Sequence, residues 1–144
     1  MTEVVENFIG TDQHGEEFNL AQAPKPVVVF FYPKASTPIC TAQSCAFRDL
    51  SEDFAAAGAT VVGVSNDNAE AQTKFDENNN LGLRLLCDNK GAIASKFGLN
   101  RKMGLPPKRS TVIIGENMEI LDIFKSEREG TGHAKWALEY LKTH

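Results

Sequence analysis

Two of the three cysteines in this chain of 144 residues lie five apart, in the segment Tyr32-Pro33-Lys34-Ala35-Ser36-Thr37-Pro38-Ile39-Cys40-Thr41-Ala42-Gln43-Ser44-Cys45. A β-rich run gives way there to a helical pattern. Pro38 suits the first helical position, because its missing N–H would be unbonded there in any case, and this makes Thr37 the N-cap. Cys40 then falls at the third position, which in a capping box holds Glu or Gln reaching back to the N-cap amide. A sulfur at that point meets free N–H groups and the positive end of the helix dipole. Thiols so placed commonly titrate at about 3.5 to 7.5, against about 8.5 for a free cysteine. The chemistry predicted is that of a thiolate nucleophile at neutral pH.

The spacing of Cys40 and Cys45 carries a second implication. Five residues along a helix rise about 7.5 Å and turn to the far side, which separates the Cα atoms by roughly 8.7 Å. A disulfide needs less than about 7 Å. If these two cysteines pair, the first turns of the helix must unwind, and oxidation becomes a conformational switch.

The elements that must position this segment follow from periodicity. Val27 to Tyr32 is apolar on both faces, as in a central parallel strand. Helical spacing of Ala42, Cys45, Ala46, Leu50, Phe54 and Ala57 predicts a helix from Pro38 to Gly58. A buried strand over Thr60 to Ser65 follows, then a helix capped within Asn66-Asp67-Asn68. Leu83 to Cys87 reads as a short strand, and a small helix carrying Ile93, Ala94 and Phe97 ends at Gly98. Ser110 to Ile114 and Ile120 to Phe124 read as strands joined by Gly115-Glu116-Asn117. A last helix places Ala134, Ala137, Leu138 and Leu141 on one face. The first ~20 residues, turning at Asp12-Gln13-His14-Gly15, predict an N-terminal hairpin. Residues 1–144 therefore read as one α/β domain with no linker or repeat.

With 15 basic and 19 acidic side chains the net charge is -4, and no cationic run offers a grip on phosphates, which excludes a nucleic-acid or anionic-membrane partner. The longest apolar stretch, Val27 to Tyr32, is far below the ~20 residues of a membrane span, and Met1-Thr2-Glu3 lacks the basic start of a signal peptide. A soluble, cytoplasmic protein is expected, in which cysteines serve chemistry or burial rather than a disulfide framework.

Pro33-x-x-x-Thr37-Pro38-x-Cys40, with Cys45 and then Phe47-Arg48-Asp49 beyond, resembles the active-site segment of the peroxiredoxins, and most closely the Q-type or bacterioferritin-comigratory-protein subfamily. Val62-Gly63-Val64-Ser65, Leu85-Leu86-Cys87-Asp88 and Lys108-Arg109-Ser110-Thr111-Val112-Ile113-Ile114 resemble that family's later core strands. The resemblance implies a thioredoxin-like fold with a central mixed sheet flanked by helices. It also implies reduction of hydrogen peroxide and organic hydroperoxides without metal, flavin or haem. By the same resemblance Cys40 is the peroxidatic cysteine, which becomes a sulfenic acid, and Cys45 is the resolving cysteine of a Cys40–Cys45 disulfide. Thr37 would set its hydroxyl against the peroxide, Pro33 would shield the sulfur from water, and Arg109 would hold both thiolate and peroxide oxygen through its planar fork. Thioredoxin or a similar dithiol protein would recycle the disulfide, and the Q-type likeness points to a monomer. Gln43 stands where the family often has an acid that orients the arginine, which puts the placing of Arg109 in question. Ile39 replaces a commoner Gly and is expected to narrow access for large hydroperoxides.

Cys87, at the end of a buried strand, reads as a small core residue. His14, His133 and His144 are expected at the surface. Asp12, His14, Glu127 and Glu129 show no metal-ligand spacing. Trp136 and Tyr140, at i and i+4, read as helix packing. A thioredoxin-like oxidoreductase is the nearest rival function, but it expects Cys-x-x-Cys, which this chain lacks; a noncatalytic binding module is the other.

Overall fold

The computed structural model describes residues 3–99, 106–127 and 130–144; Glu129 lies outside them. Strands β1 (Ile9–Thr11) and β2 (Glu17–Asn19) form the expected N-terminal hairpin, followed by a 3-10 turn at Leu20–Gln22. Then come β3 (Val27–Phe31), α1 (Pro38–Asp49), α2 (Ser51–Ala56), β4 (Thr60–Ser65), α3 (Ala69–Asn79), β5 (Arg84–Cys87), α4 (Ala92–Lys96), β6 (Ser110–Ile114), β7 (Ile120–Lys125) and α5 (Thr131–Thr143). The main sheet has the order β5-β4-β3-β6-β7. β3 is central, parallel to β4 and antiparallel to β6, so the sheet is mixed and thioredoxin-like, in keeping with the expected fold class.

Because β3 is apolar on both faces, it feeds two cores. Val27, Val29 and Phe31 pack with Phe8, Phe18 and Phe97 under the hairpin and α4. Val28, Phe30 and Tyr32 pack with Cys40, Phe47, Phe54 and Phe75 beneath α1, α3 and α5. The rings of Phe30 and Phe47 stack at 4.3 Å. That contact needs Gly63 on β4, where a Cβ would lie 2.7 Å from the Phe30 ring.

The helix expected to run from Pro38 to Gly58 is broken. Leu50, at φ -103 and ψ 10, leaves the helical region and separates α1 from α2. The bend keeps Phe47 and Phe54 both buried on the sheet with ring centroids 5.7 Å apart. Asn68 caps α3 by accepting from the Ala71 N–H at 2.9 Å. Among the described residues no helix is long and apolar enough to cross a membrane.

Candidate active site

The site lies at the C-terminal ends of β3 and β4, where open α/β sheets present their loops. The pairing of Phe31 with Ser110 makes Arg109 the residue that enters the sheet beside Tyr32. Alternation along β6 then puts Arg109 on the same face as Thr111 and Ile113, toward α1 rather than toward the hairpin.

Cys40 sits in the first turn of α1 and is 1% exposed. Arg109, 5% exposed, donates from Nη1 to Cys40 Sγ at 3.2 Å and to Gln43 Oε1 at 2.7 Å. Its Nε donates to the Glu127 carbonyl at 3.2 Å, and its backbone N–H donates to Glu127 Oε1 at 3.2 Å. Gln43 is fully buried, and its Nε2 donates to the Phe31 carbonyl at 3.3 Å, tying α1 to the end of β3. A neutral amide thus orients the arginine where an acid was expected to be needed. The doubt that Gln43 cast on the placing of Arg109 is resolved by this contact. The guanidinium and the sulfur meet in a buried surround, where charge interactions are weakly screened.

Thr37 occupies the N-cap position with extended geometry, φ -85 and ψ 154, but its side chain caps no helical N–H. Its hydroxyl instead donates to the Lys34 carbonyl at 2.8 Å. The turn before it is strained: Ser36 has φ 68, in the left-handed region that a Cβ disfavours. The Thr37 side chain thus leaves the first-turn amides of α1 uncapped. Pro33 is half-buried at the base of this turn, and Ile39 is 39% exposed beside Cys40.

Cys45 is half-buried on the unbroken α1, and all three cysteines are free thiols. Cys87 is half-buried rather than fully in the core. Burial, with Asp12 and Asp67 nearby, pushes its thiol up, so at neutral pH it is protonated and a poor nucleophile.

Three features of the site go beyond or against the sequence reading. Glu127 flanks Arg109 as described. Gly130 lies against α1 so closely that a Cβ there would stand 2.5 Å from the Ile39 carbonyl oxygen and 2.7 Å from the Gln43 nitrogen. His133, expected at the surface, is fully buried. Its Nε2 meets the Ser126 carbonyl at 3.0 Å, and a carbonyl can only accept, so this nitrogen carries the proton. Nδ1 is paired with Thr111 Oγ1 at 2.9 Å. Among the described residues no group of three His, Cys, Asp or Glu side chains could hold a metal ion.

Residues 1–123 match the model of the AhpC/TSA family. A chloroplastic peroxiredoxin Q of Sedum lineare is 35% identical over 138 residues, covering 94% of this chain and 74% of that one. Among solved structures, peroxidoxin BcpB of Mycobacterium tuberculosis superposes with a TM-score of 0.93 at 39% identity, over 99% of this chain and 96% of that one. A Xanthomonas campestris bacterioferritin comigratory protein, studied for alkyl peroxide reduction, gives a TM-score of 0.87 at 26% identity, over 95% of this chain and 91% of that one.

Proposed function

The chain belongs to the AhpC/TSA family and is a peroxiredoxin, a thiol-dependent peroxidase; we propose that Cys40 is its peroxidatic cysteine, activated by Arg109. The observation that carries this assignment is the 3.2 Å contact of Arg109 Nη1 with Cys40 Sγ at the start of α1.

The Cys40 thiolate attacks one oxygen of the peroxide and breaks the O–O bond, giving a sulfenic acid and an alkoxide or hydroxide that takes up a proton. Negative charge moves from sulfur to the departing oxygen, and the Arg109 guanidinium and the first-turn amides of α1 are there to receive it. The Thr37 hydroxyl, whose proton is committed to Lys34, keeps its lone pairs for the O–H of the peroxide. Pro33 closes the base of the turn against water.

Cys45 resolves the sulfenic acid: its thiol displaces water and forms the Cys40–Cys45 disulfide. This step requires the first turns of α1 to unwind. A dithiol protein of the thioredoxin class returns both sulfurs to thiols by exchange.

Mass spectrometry after one equivalent of hydrogen peroxide tests the assignment. The expected result is a loss of two hydrogens mapped to Cys40 and Cys45 in the wild type, and no peroxide consumption by Cys40→Ser. Undiminished turnover by Cys40→Ser would sink the reading.

A further inference from the structure

The turn that carries Pro33 and Thr37 is held from outside by a chain of hydrogen bonds that does not include Cys40 or Arg109. The Ala35 N–H donates to Asp67 Oδ2 at 2.7 Å. The same oxygen accepts from Ser65 Oγ at 2.7 Å. Ser65 Oγ in turn accepts from Gln72 Nε2 at 3.0 Å, and Gln72 Nε2 also donates to the Leu86 carbonyl at 3.1 Å. Gln72 Oε1 accepts from the Tyr32 hydroxyl at 2.5 Å. The network therefore grips the turn at both Tyr32 and Ala35, and roots it in the end of β4, the first turns of α3 and the end of β5. Ser65, Gln72 and Tyr32 are all fully buried, so the frame behind Asp67 has little freedom to move.

This clamp has something to resist. Ser36, one residue beyond the Asp67 contact, is held at φ 68, a conformation that a Cβ disfavours. Among the described residues, the Thr37 hydroxyl bonds only within the turn, to Lys34. Without an external hold, the turn would relax toward ordinary backbone angles and carry Thr37 and the first amides of α1 with it. The Cys40–Arg109–Gln43 contacts hold α1 from its inner side through Phe31 and Glu127 and make no bond to Ala35 or Ser36.

We infer that Asp67 is a positioning residue for peroxide reduction: by anchoring the Ala35 N–H it fixes the strained turn that presents Thr37 and the start of α1 to the peroxide. The inference rests on the assignment of Cys40 as the attacking sulfur. It separates two functions in space. Arg109, steadied by Gln43, meets the sulfur, whereas Asp67 sets the geometry of the turn that meets the peroxide.

The test compares two reactions of the same thiol. Alkylation of Cys40 by iodoacetamide reads the availability of the thiolate and needs no alignment of an O–O bond; the second-order reaction with hydrogen peroxide needs both. Asp67→Ala is expected to slow the peroxide reaction by about 10- to 100-fold, the cost of a misplacement near 1 Å, while alkylation changes by less than about 3-fold. Asp67→Asn keeps an acceptor oxygen for Ala35 and Ser65 and is expected to restore the peroxide rate. Ser65→Ala, which leaves the carboxylate in place but untethers it, provides a milder variant and is expected to show the same selective loss at smaller size. An unchanged peroxide rate in both Asp67→Ala and Ser65→Ala overturns the inference. So does an equal fall in peroxide and alkylation rates, which would mean that Asp67 merely supports the fold. Peroxide turnover that survives Cys40→Ser would overturn the assignment of Cys40 instead, and so is distinguishable from either.

Discussion

Arg109 places one nitrogen, Nη1, 3.2 Å from Cys40 Sγ and 2.7 Å from Gln43 Oε1, while its Nε is held by the Glu127 carbonyl. A single planar group thus meets the Cys40 sulfur and its own orienting contacts together. Lysine cannot reproduce this, because an ammonium on a flexible stem has no fixed fork. Arg109→Lys is expected to lower the second-order rate constant for hydrogen peroxide by about 10²- to 10³-fold, the usual cost of removing a donor aimed at developing negative charge. Stopped-flow fluorescence or competition kinetics checks this, and a loss of less than about 3-fold would show that the guanidinium is not used.

Gln43 gives a second prediction. Gln43→Leu removes both the acceptor for Arg109 and the donor to the Phe31 carbonyl, leaving two buried polar groups short of a partner. A destabilisation of about 1–3 kcal/mol follows from that loss. The peroxide rate should also fall about 10-fold, because the guanidinium loses its side support. Gln43→Glu retains the acceptor for Arg109 and should keep the rate close to wild type. Denaturant titration and peroxide kinetics on the pair separate the two effects.

The part of the site that was legible in the sequence is the part that depends on local structure. Pro38 at the first helical position, Thr37 before it and Cys40 two residues on declare a helix start without any knowledge of the fold. The short, unbroken apolar run of Val27 to Tyr32 likewise declares a central strand. What stayed hidden depends on surfaces that meet across long stretches of chain. The contact of Gln43 with Arg109 spans 66 residues, and nothing local says that an amide will serve as well as an acid. The side chain of Thr37 was expected to cap α1, but the Lys34 carbonyl, three residues back, takes its hydroxyl first. His133 looked polar enough for the surface, yet Thr111 and the Ser126 carbonyl satisfy both ring nitrogens and make burial tolerable. Gly130 gave no signal at all, because close approach of two backbones leaves no periodic trace.

That approach supplies a third prediction. Gly130 has φ -94, so an alanine is not excluded by backbone angles. It is excluded by space, since its Cβ would stand 2.5 Å from the Ile39 oxygen and 2.7 Å from the Gln43 nitrogen, both backbone atoms that cannot rotate away. Gly130→Ala must push α5 and α1 apart, or unwind the first turn of α1. Overpacking of this kind costs about 1–3 kcal/mol. It should appear as a lowered denaturation midpoint and as faster amide exchange near Ile39 to Gln43, and an unchanged exchange pattern would count against it.

Resolution by Cys45 demands a change of shape, since α1 is unbroken from Pro38 to Asp49 with both thiols free. Cys45→Ser is expected to consume one equivalent of peroxide and then stop at sulfenic acid, or pass on to sulfinic acid with excess oxidant. In the wild type, conversion to the disulfide should lower helical ellipticity and accelerate amide exchange over Thr41 to Phe47. Repeated turnover of Cys45→Ser with a dithiol protein reductant would show that a different thiol resolves. Cys87 is not a promising substitute, because burial keeps its thiol protonated.

The remaining prediction concerns pH and the attachment of the N-terminal hairpin. Asp12 is buried at the turn of the hairpin, where it accepts from the His14 and Glu16 N–H groups at 2.8 and 3.0 Å and from Arg84 Nε at 2.9 Å. Burial alone would push its carboxyl up. The Arg84 guanidinium and the two backbone donors outweigh that and hold it below the usual carboxylate range. A carboxyl that is more acidic in the folded than in the unfolded state adds stability above its unfolded pKa, and that stability is lost as the pH falls through the folded value. Wild-type stability should therefore decline below about pH 4, and the decline should be shallower in Asp12→Asn, which cannot titrate there. Urea midpoints measured across the acid range check the slope. Amide exchange over residues 9–19 should show the hairpin loosening from β5 before the rest of the sheet opens, because Asp12 and Arg84 join the two. Parallel pH curves for the wild type and Asp12→Asn would mean that this carboxylate contributes nothing to the acid sensitivity of the fold.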